Sequence, residues 1–164
     1  MASGKMTAEE TSEQIEEQNN KIPVGISSCL LGEKVRYDGG HKNNSYVGKT
    51  LGQYFDLQAF CPELDIGLGI PRKPIRLSRK GSDVIRCITV DNPEPDFTDA
   101  LAKSANEKKQ WHSNLCGYIV KKDSPSCGME RVKIWDDVMP IREGVGIYAG
   151  KMMENFPYLP VEEE

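Results

Sequence analysis

Three short apolar segments of this chain each lead into a turn that carries a cysteine. The segments and their cysteines are residues 22–26 with Cys29, residues 57–60 with Cys61, and residues 118–120 with Cys127. Short apolar runs bounded by Ser, Gly and Pro are typical of buried strands. In an open parallel sheet, ligands bind beyond the carboxyl ends of the strands. If these strands are neighbours, the three thiols converge on one crevice.

The order of the predicted elements indicates the fold class. Apolar strands alternate with helices, which predicts a single-domain, Rossmann-like α/β fold with a mainly parallel sheet flanked by helices. Thr98 is predicted as the N-cap of a helix that runs to about Ser113. The other predictions are strands at 84–90 and 117–121, an irregular pair at 132–135 and 140–142, a short helix within 43–54, a helix at 146–155 and a loop at 66–80.

The chain divides into a polar start, one folded region and a short acidic end. Residues 1–20 are predicted to form a disordered acidic tail, residues 21–160 one domain, and residues 161–164 an acidic C-terminal end. The formal net charge of −4 comes from the first twenty residues, which contain one Lys and five Glu. The region between the acidic ends is mildly cationic, which suits an anionic substrate but is far weaker than a nucleic-acid-binding signature.

Targeting features restrict the expected compartment. No apolar stretch is long enough to span a membrane, and the N-terminus lacks the basic start and apolar core of a signal peptide. A cytoplasmic protein is therefore expected, and structural disulfides are rare in that compartment. The five cysteines then favour metal binding or catalysis over covalent cross-links.

Cysteine thiolates are soft ligands that select zinc, copper(I) or iron–sulfur clusters. A site with three cysteine ligands leaves one coordination position open, which is typical of catalytic rather than structural metal sites. The alternative is that the cysteines pack as small hydrophobic residues, as free cysteines commonly do. We assign that role to Cys87, which lies within a predicted strand, and to Cys116, which lies between Leu115 and Gly117.

Four motifs, in this order, resemble those of the thiouracil desulfidase (TudS-like) family. They are ISSCLLG at 26–32, VRYDG at 35–39, CPE at 61–63 and SPSCG at 124–128. The resemblance covers roughly residues 21–160. The chain is especially similar to the desulfidase half of two-domain relatives that act on 4-thiouridine in tRNA. This chain ends shortly after Pro160 and is expected to lack their second domain.

The resemblance implies a [4Fe-4S] cluster held by Cys29, Cys61 and Cys127, with one iron free to bind the sulfur of a thiocarbonyl base. Water then replaces sulfur at that carbon, sulfide is released, and there is no net redox change. The expected partner is a small-molecule thiolated nucleobase or nucleotide, free or tRNA-derived. A Lewis-acidic iron makes sulfur a better leaving group.

Acid–base residues are expected beside the second and third cysteines. Glu63 follows Cys61 by two residues and can reach the same crevice, and the resemblance implies that it is the general acid/base. The resemblance also implies a catalytic serine beside Cys127, and one of Ser124 and Ser126, with Ser124 favoured, is predicted to hydrogen-bond the base or water during proton transfer. Ser28 is predicted to donate hydrogen bonds to the cluster sulfides and is also a candidate substrate-binding residue. The alternatives are a solvated surface glutamate and ordinary Ser-Pro turn chemistry.

Candidate substrate-binding residues lie on the loops after the first two cysteines. Tyr37 is predicted to stack on the base and Asp38 to accept a hydrogen bond from a ring N–H, although Asp38 also suits a simple turn. Arg72 and Arg76 belong to a run of five cations over residues 72–80. We interpret this run as a phosphate-capture segment, the alternative being a solvated charged face.

Two other classes of function remain open at this point. The first is a thiol- or zinc-dependent hydrolase in which Cys127 is the nucleophile or a ligand. The second is a non-enzymatic Fe–S or nucleotide-binding module that serves a larger partner.

Overall fold

The computed structural model describes residues 21–79, 83–136 and 139–164; the predicted tail at 1–20 lies outside this range. The strands are β1 (Ile22–Ser27), β2 (Phe55–Phe60), β3 (Ile75–Ser78), β4 (Arg86–Thr89), β5 (Gly117–Val120), β6 (Val132–Trp135), β7 (Ile141–Gly144) and β8 (Val161–Glu163). The α-helices are α1 (Pro62–Asp65), α2 (Thr98–Glu107), α3 (Lys109–His112) and α4 (Ile147–Asn155). Short 3-10 segments at Ser28–Leu31 and Leu51–Gln53 flank a π-helical segment at Tyr46–Thr50.

The first sheet is parallel and carries the three strands that lead to cysteines. Its order is β2-β1-β5-β8, so β1 and β5 are covered on both edges. Ile26 in β1 pairs with Ala59 on one side and Ile119 on the other. The predicted strands at 22–26, 57–60 and 117–121 are therefore confirmed, and they are neighbours. Residues 161–164, expected to be only an acidic end, contribute β8 to this sheet.

A second, mixed sheet was not predicted. Its order is β4-β3-β6-β7, with β3 antiparallel to β4 but parallel to β6. The predicted strand at 84–90 and the predicted pair at 132–142 belong to this sheet. Strand β3 lies in the segment predicted to be a loop. The fold is thus α/β with a parallel sheet flanked by helices, as expected, but the second sheet departs from a simple Rossmann-like layout.

The helices follow the predicted positions with two differences. The helix expected from Thr98 to Ser113 is divided at Lys108 into α2 and α3. The N-cap is Phe97 and Thr98 is the first helical residue; the Thr98 hydroxyl accepts the Cys87 N–H at 2.7 Å instead of capping the helix. The helix predicted at 146–155 is confirmed as α4, which begins one residue later because Gly146 is its N-cap. No helix in the described part of the chain is long and apolar enough to cross a membrane.

The two cysteines assigned to the core differ in burial. Cys87 in β4 is fully buried against Leu77 and Leu101, as predicted. Cys116 is exposed, so its assignment to the core is wrong. It precedes β5, and its backbone N–H donates to the Pro23 carbonyl at 2.8 Å. The position is therefore fixed by the main chain while the thiol faces solvent.

A cluster of aromatic rings packs between α3 and α4 around a buried histidine. His112 is 1% exposed, and its Nε2 lies 2.6 Å from the Tyr148 hydroxyl. The rings of Trp111, Tyr118 and Phe156 also surround it. Burial, with a smaller contribution from the Lys108 charge, lowers the pKa of His112 to about 4. The imidazole is therefore neutral at pH 7.

We expect this histidine to make the folded state sensitive to acid. The pKa of histidine in an unfolded chain is about 6.5, so between pH 6.5 and 4 the unfolded state binds a proton that the folded state does not. The contribution of His112 to the free energy of unfolding should be fully present above pH 6.5. Below pH 6.5 the free energy of unfolding should decrease by up to ~1.4 kcal/mol per pH unit. Urea titrations of the wild type and His112→Phe over this range test the expectation. The same dependence of the free energy of unfolding on pH in the two proteins would contradict it.

Candidate active site

A cavity of about 440 Å³ lies beyond the carboxyl ends of β1, β2 and β5. Its lining comes from the last residues of these strands and those that follow them: 27–29 at the end of β1, 60, 61 and 63 at the end of β2, and 121–127 after β5. The loop at 35–37 and residues near the start of β3 close the other side. The cavity is therefore in the crevice where open α/β sheets bind ligands.

The three predicted ligand cysteines all line this cavity. Cys29 and Cys127 are each 8% exposed, and Cys61 is half-buried. Burial raises the pKa of all three thiols, that of Cys127 to about 12. The Cys61 thiolate further raises the pKa of Cys29 and of Cys127, so Cys61 is within electrostatic reach of both. Three thiolates in this place need a compensating positive charge.

The arrangement does not correspond to a site for a single metal ion. Within residues 21–79, 83–136 and 139–164, no three Cys, His, Asp or Glu side chains are placed to hold one ion. In an iron–sulfur cluster each cysteine binds a different iron, so the sulfurs need not meet at one point. The separation of the thiols around a cavity is compatible with that kind of group.

The N-terminus of α4 holds the loop that carries Cys127. The backbone N–H groups of Gly146 and Ile147 donate to the carbonyls of Gly128 and Pro125 at 2.7 and 3.0 Å. The Ala149 N–H donates to the Ser126 carbonyl at 3.1 Å. The first N–H groups of a helix have no partner within the helix, so the loop supplies acceptors that the helix lacks. The backbone around Cys127 is fixed from one side by these bonds.

Gly146 permits this close approach, and we expect Gly146→Ala to disrupt it. An added Cβ would lie 2.6 Å from the Ser126 carbonyl carbon and 2.8 Å from the Cys127 nitrogen. Because these are backbone atoms, helix and loop must separate, at a cost of about 1–3 kcal/mol. Urea unfolding measures this, with Gly48→Ala as the control, where the nearest atom would be 3.7 Å away. Equal midpoints for the two variants would contradict the expectation.

The acidic C-terminal residues hold the same loop from the other side. Glu163 Oε1 accepts the Met129 N–H at 3.0 Å. The Glu164 carboxylate accepts the Lys122 N–H at 2.8 Å and pairs with the Lys121 ammonium. These bonds lie on both sides of the SPSCG motif. The segment expected to be an acidic end therefore supports the loop of the third cysteine.

Glu63 is part of a hydrogen-bonded network rather than a solvated surface glutamate. Its side chain is 13% exposed, and it lies in the first turn of α1, directly after Cys61 and Pro62. Ser126 Oγ donates to Glu63 Oε1 at 2.8 Å. Ser124 Oγ lies 3.0 Å from Ser126 Oγ and accepts the Cys127 N–H at 3.1 Å. Both predicted serines and the predicted acid/base are thus joined in one chain of hydrogen bonds.

The predicted substrate-binding residues fall into two groups. Ser28, Tyr37 and Arg72 line the cavity, whereas Asp38 and Arg76 are not among its lining residues. Asp38 accepts the Gly40 N–H at 2.9 Å and so forms the turn that was the alternative interpretation. Arg76 lies over the Trp135 ring, 5.4 Å from its centroid. Their predicted roles in substrate binding therefore have no support from position.

The run of cations at 72–80 does not form one anion-binding surface in the described residues. Arg79 lies 3.8 Å from Asp136 and 3.7 Å from Glu143, while Lys80 is outside the described residues. The cations that line the cavity, apart from Arg72, are Arg36, Lys42, Lys121 and Lys122. These four were not predicted. Arg36 lies within the VRYDG motif, and Lys121 and Lys122 shortly precede the SPSCG motif. Their proximity to these motifs was the sequence signal that could have identified them as cavity residues.

Comparison with known proteins agrees with this geometry. A family model described as 2-thiouracil desulfurase matches residues 24–164. YbbK, an uncharacterized protein of Bacillus subtilis (strain 168), is 31% identical over 110 residues, which cover 63% of this chain and 71% of YbbK. The solved structure of TudS, a [4Fe-4S]-dependent thiouracil desulfidase, has a TM-score of 0.65 and 27% identity, and the match covers 88% of this chain and 91% of the TudS chain. The resemblance of the four motifs is thereby confirmed, and this chain belongs to the 2-thiouracil desulfurase family.

Proposed function

We propose that this chain is a [4Fe-4S]-dependent thiouracil desulfidase that replaces the sulfur of a thiouracil-type base or nucleotide by oxygen from water. The reaction releases sulfide and involves no net redox change. The observation that carries the proposal is the joint placement of three thiols and the Glu63 network around one cavity. The family membership and the structural similarity to TudS support the same activity.

The donor set fits a cluster held by Cys29, Cys61 and Cys127. The cavity lining contains these three thiols and no histidine. Iron–sulfur clusters are among the metal centres that soft thiolate ligands bind. With three ligands for four irons, one iron keeps an open position. When bound, such a cluster supplies a Lewis acid at that position, which polarises a C=S bond.

Glu63 and the two serines provide the proton transfer. Glu63 Oε1 is the oxygen that receives the Ser126 hydroxyl at 2.8 Å, and Ser126 in turn lies 3.0 Å from Ser124. We assign Glu63 as the general base that takes a proton from water and as the acid that returns it to the leaving sulfur. Ser126 holds the carboxylate, and Ser124 extends the chain of hydroxyl groups along which protons pass.

Two lysines in the lining of the cavity suit a phosphate group. Lys42 and Lys122 line the cavity, and no ion pair between side chains involves either of them within the described ranges of the chain. Tyr37, also in the lining, presents a ring of the kind on which a base stacks. We therefore propose a thiolated nucleotide as a better substrate than the free base, with the lysine pair taking the role assigned to the run at 72–80.

Anaerobic purification followed by a substrate panel tests the proposal. We expect iron and acid-labile sulfide in the purified protein, and conversion of 4-thiouracil and its nucleoside monophosphate to the oxygen analogues with release of sulfide. The monophosphate should have the lower KM. Colourless protein with stoichiometric zinc would instead indicate a zinc hydrolase. Reconstituted protein that holds the cluster but converts no thiolated compound would contradict the enzymatic assignment.

A further inference from the structure

We infer that Arg72 is a positioning residue that fixes the Glu63 carboxylate for proton transfer, and not a phosphate-binding residue. The inference rests on the proposed function, since it concerns the same site. It follows from the contacts of the Arg72 guanidinium, since this side chain lines the cavity and is only 7% exposed. A cation so deeply placed must have its donors satisfied by the protein or by a ligand.

The protein already satisfies most of these donors. Arg72 Nε and Nη2 donate to Glu63 Oε2 at 2.9 and 2.7 Å. Nη2 also donates to the Val35 carbonyl at 2.9 Å, and Nη1 donates to the Gly69 carbonyl at 3.1 Å. A guanidinium has five N–H groups, so only one is left. Bidentate capture of a phosphate needs two parallel N–H groups on one edge, and Arg72 does not present them.

The two oxygens of the Glu63 carboxylate are thereby given different partners. Oε2 receives both arginine contacts, whereas Oε1 receives the Ser126 hydroxyl at 2.8 Å. The arginine prevents the carboxylate from rotating about its last bond, because a turn would break two charge-assisted hydrogen bonds. Oε1 is therefore held toward the serines and the cavity. That is the orientation that proton transfer requires.

Arg72 also ties two loops of the cavity wall to this carboxylate. Its backbone N–H donates to the Tyr37 carbonyl at 2.9 Å, in the same loop whose Val35 carbonyl accepts from Nη2. Gly69 belongs to the loop that follows α1. The arginine thus connects the loop of the VRYDG motif with the catalytic carboxylate. Removal of the side chain should loosen the position of Glu63 without removing any group that contacts the reacting atoms.

Steady-state kinetics of Arg72→Ala, Glu63→Gln and the double variant test the inference, with Lys73→Ala as the matched control. Lys73 is the adjacent cation, is exposed, and does not line the cavity. We expect Arg72→Ala to lower kcat about 100-fold, the effect of a misplaced catalytic group. KM should change by less than about threefold for both 4-thiouracil and its monophosphate. The double variant should be no slower than Glu63→Gln alone, because Arg72 acts through Glu63.

Three results would overturn the inference. They are an unchanged kcat in Arg72→Ala, a KM that rises for the monophosphate alone, and additive losses in the double variant. Iron content and thermal unfolding are measured for each protein, and Arg72→Lys is judged by the same criteria if Arg72→Ala does not retain the cluster. Wild-type protein without turnover would refute the proposed function itself. Active wild type with one of the three results above would refute only the role of Arg72.

Discussion

Replacement of Cys29, Cys61 or Cys127 by alanine is expected to abolish iron binding, with activity falling below detection. Each thiol stands at the end of a different strand on the same cavity. A cluster that lost one of its three protein ligands would be held by two, and iron content should fall to below about a tenth of the wild-type value. Iron and acid-labile sulfide measured after anaerobic reconstitution check the expectation.

The other two cysteines provide matched controls for this experiment. Cys116→Ala should change the free energy of unfolding by less than ~0.5 kcal/mol, because the thiol is exposed. Cys87→Ala should cost about 1–2 kcal/mol, because the residue is fully buried in the second sheet. Both variants should retain iron. A cluster lost from either of them, or kept in a variant of the cavity cysteines, would show that the ligands have been misassigned.

The parts of the fold that the sequence predicts well are those with a strong local signal. Residues 22–26 and 57–60 are apolar runs with clear turn residues after them, and both form parallel strands of the first sheet. Gly146 precedes a helix and Pro157 follows it, which places α4 correctly. In each case the pattern and the tertiary environment favour the same structure.

Elements that depend on a distant partner escape prediction. Strand β3 has four residues between Pro74 and a cation, and Leu77 is buried only because Cys87 and Ile134 pair beside it. Strand β8 consists largely of glutamates and is a strand because it pairs with β5. The alternation of Ile75 and Leu77 with polar residues is too short to identify β3, and β8 has no apolar residue after Val161. Their structure is set by contacts far along the chain.

The same division applies to the candidate site. The cysteines, Glu63 and the serines could be proposed because each lies in a short motif. The contact between Arg72 and Glu63 joins residues nine positions apart, and no pattern of spacing distinguishes Arg72 from the other cations of its run. Lys42 lies three residues after the VRYDG motif and lines the cavity, where its backbone N–H donates to the Cys29 carbonyl at 2.9 Å. Geometry, and not composition, separates Arg72 from the other cations of its run.

Substitution of Glu63 by glutamine is expected to leave the cluster in place and to suppress turnover. Glutamine keeps the size of the side chain, and its carbonyl oxygen can still accept from Arg72 in place of Oε2. It cannot take or return a proton, so kcat should fall on the order of 10²–10⁴-fold, the usual contribution of general acid–base catalysis. Iron content and the visible absorption spectrum should match the wild type.

Asp65→Asn is the matched control for this prediction, since it removes a carboxylate from the same helix, two residues away. Asp65 pairs with Lys108 at 3.0 Å and accepts from Ser104 at 2.6 Å, and it does not line the cavity. Although burial raises the pKa of Asp65, these contacts hold it below its ordinary value, so loss of the carboxylate should lower stability. The kcat of Asp65→Asn should stay within about twofold of the wild type, as for residues away from the chemistry. Wild-type turnover in Glu63→Gln would remove Glu63 from the mechanism. An equal loss of kcat in both variants would mean that the charge of α1, and not proton transfer at Glu63, supports the reaction.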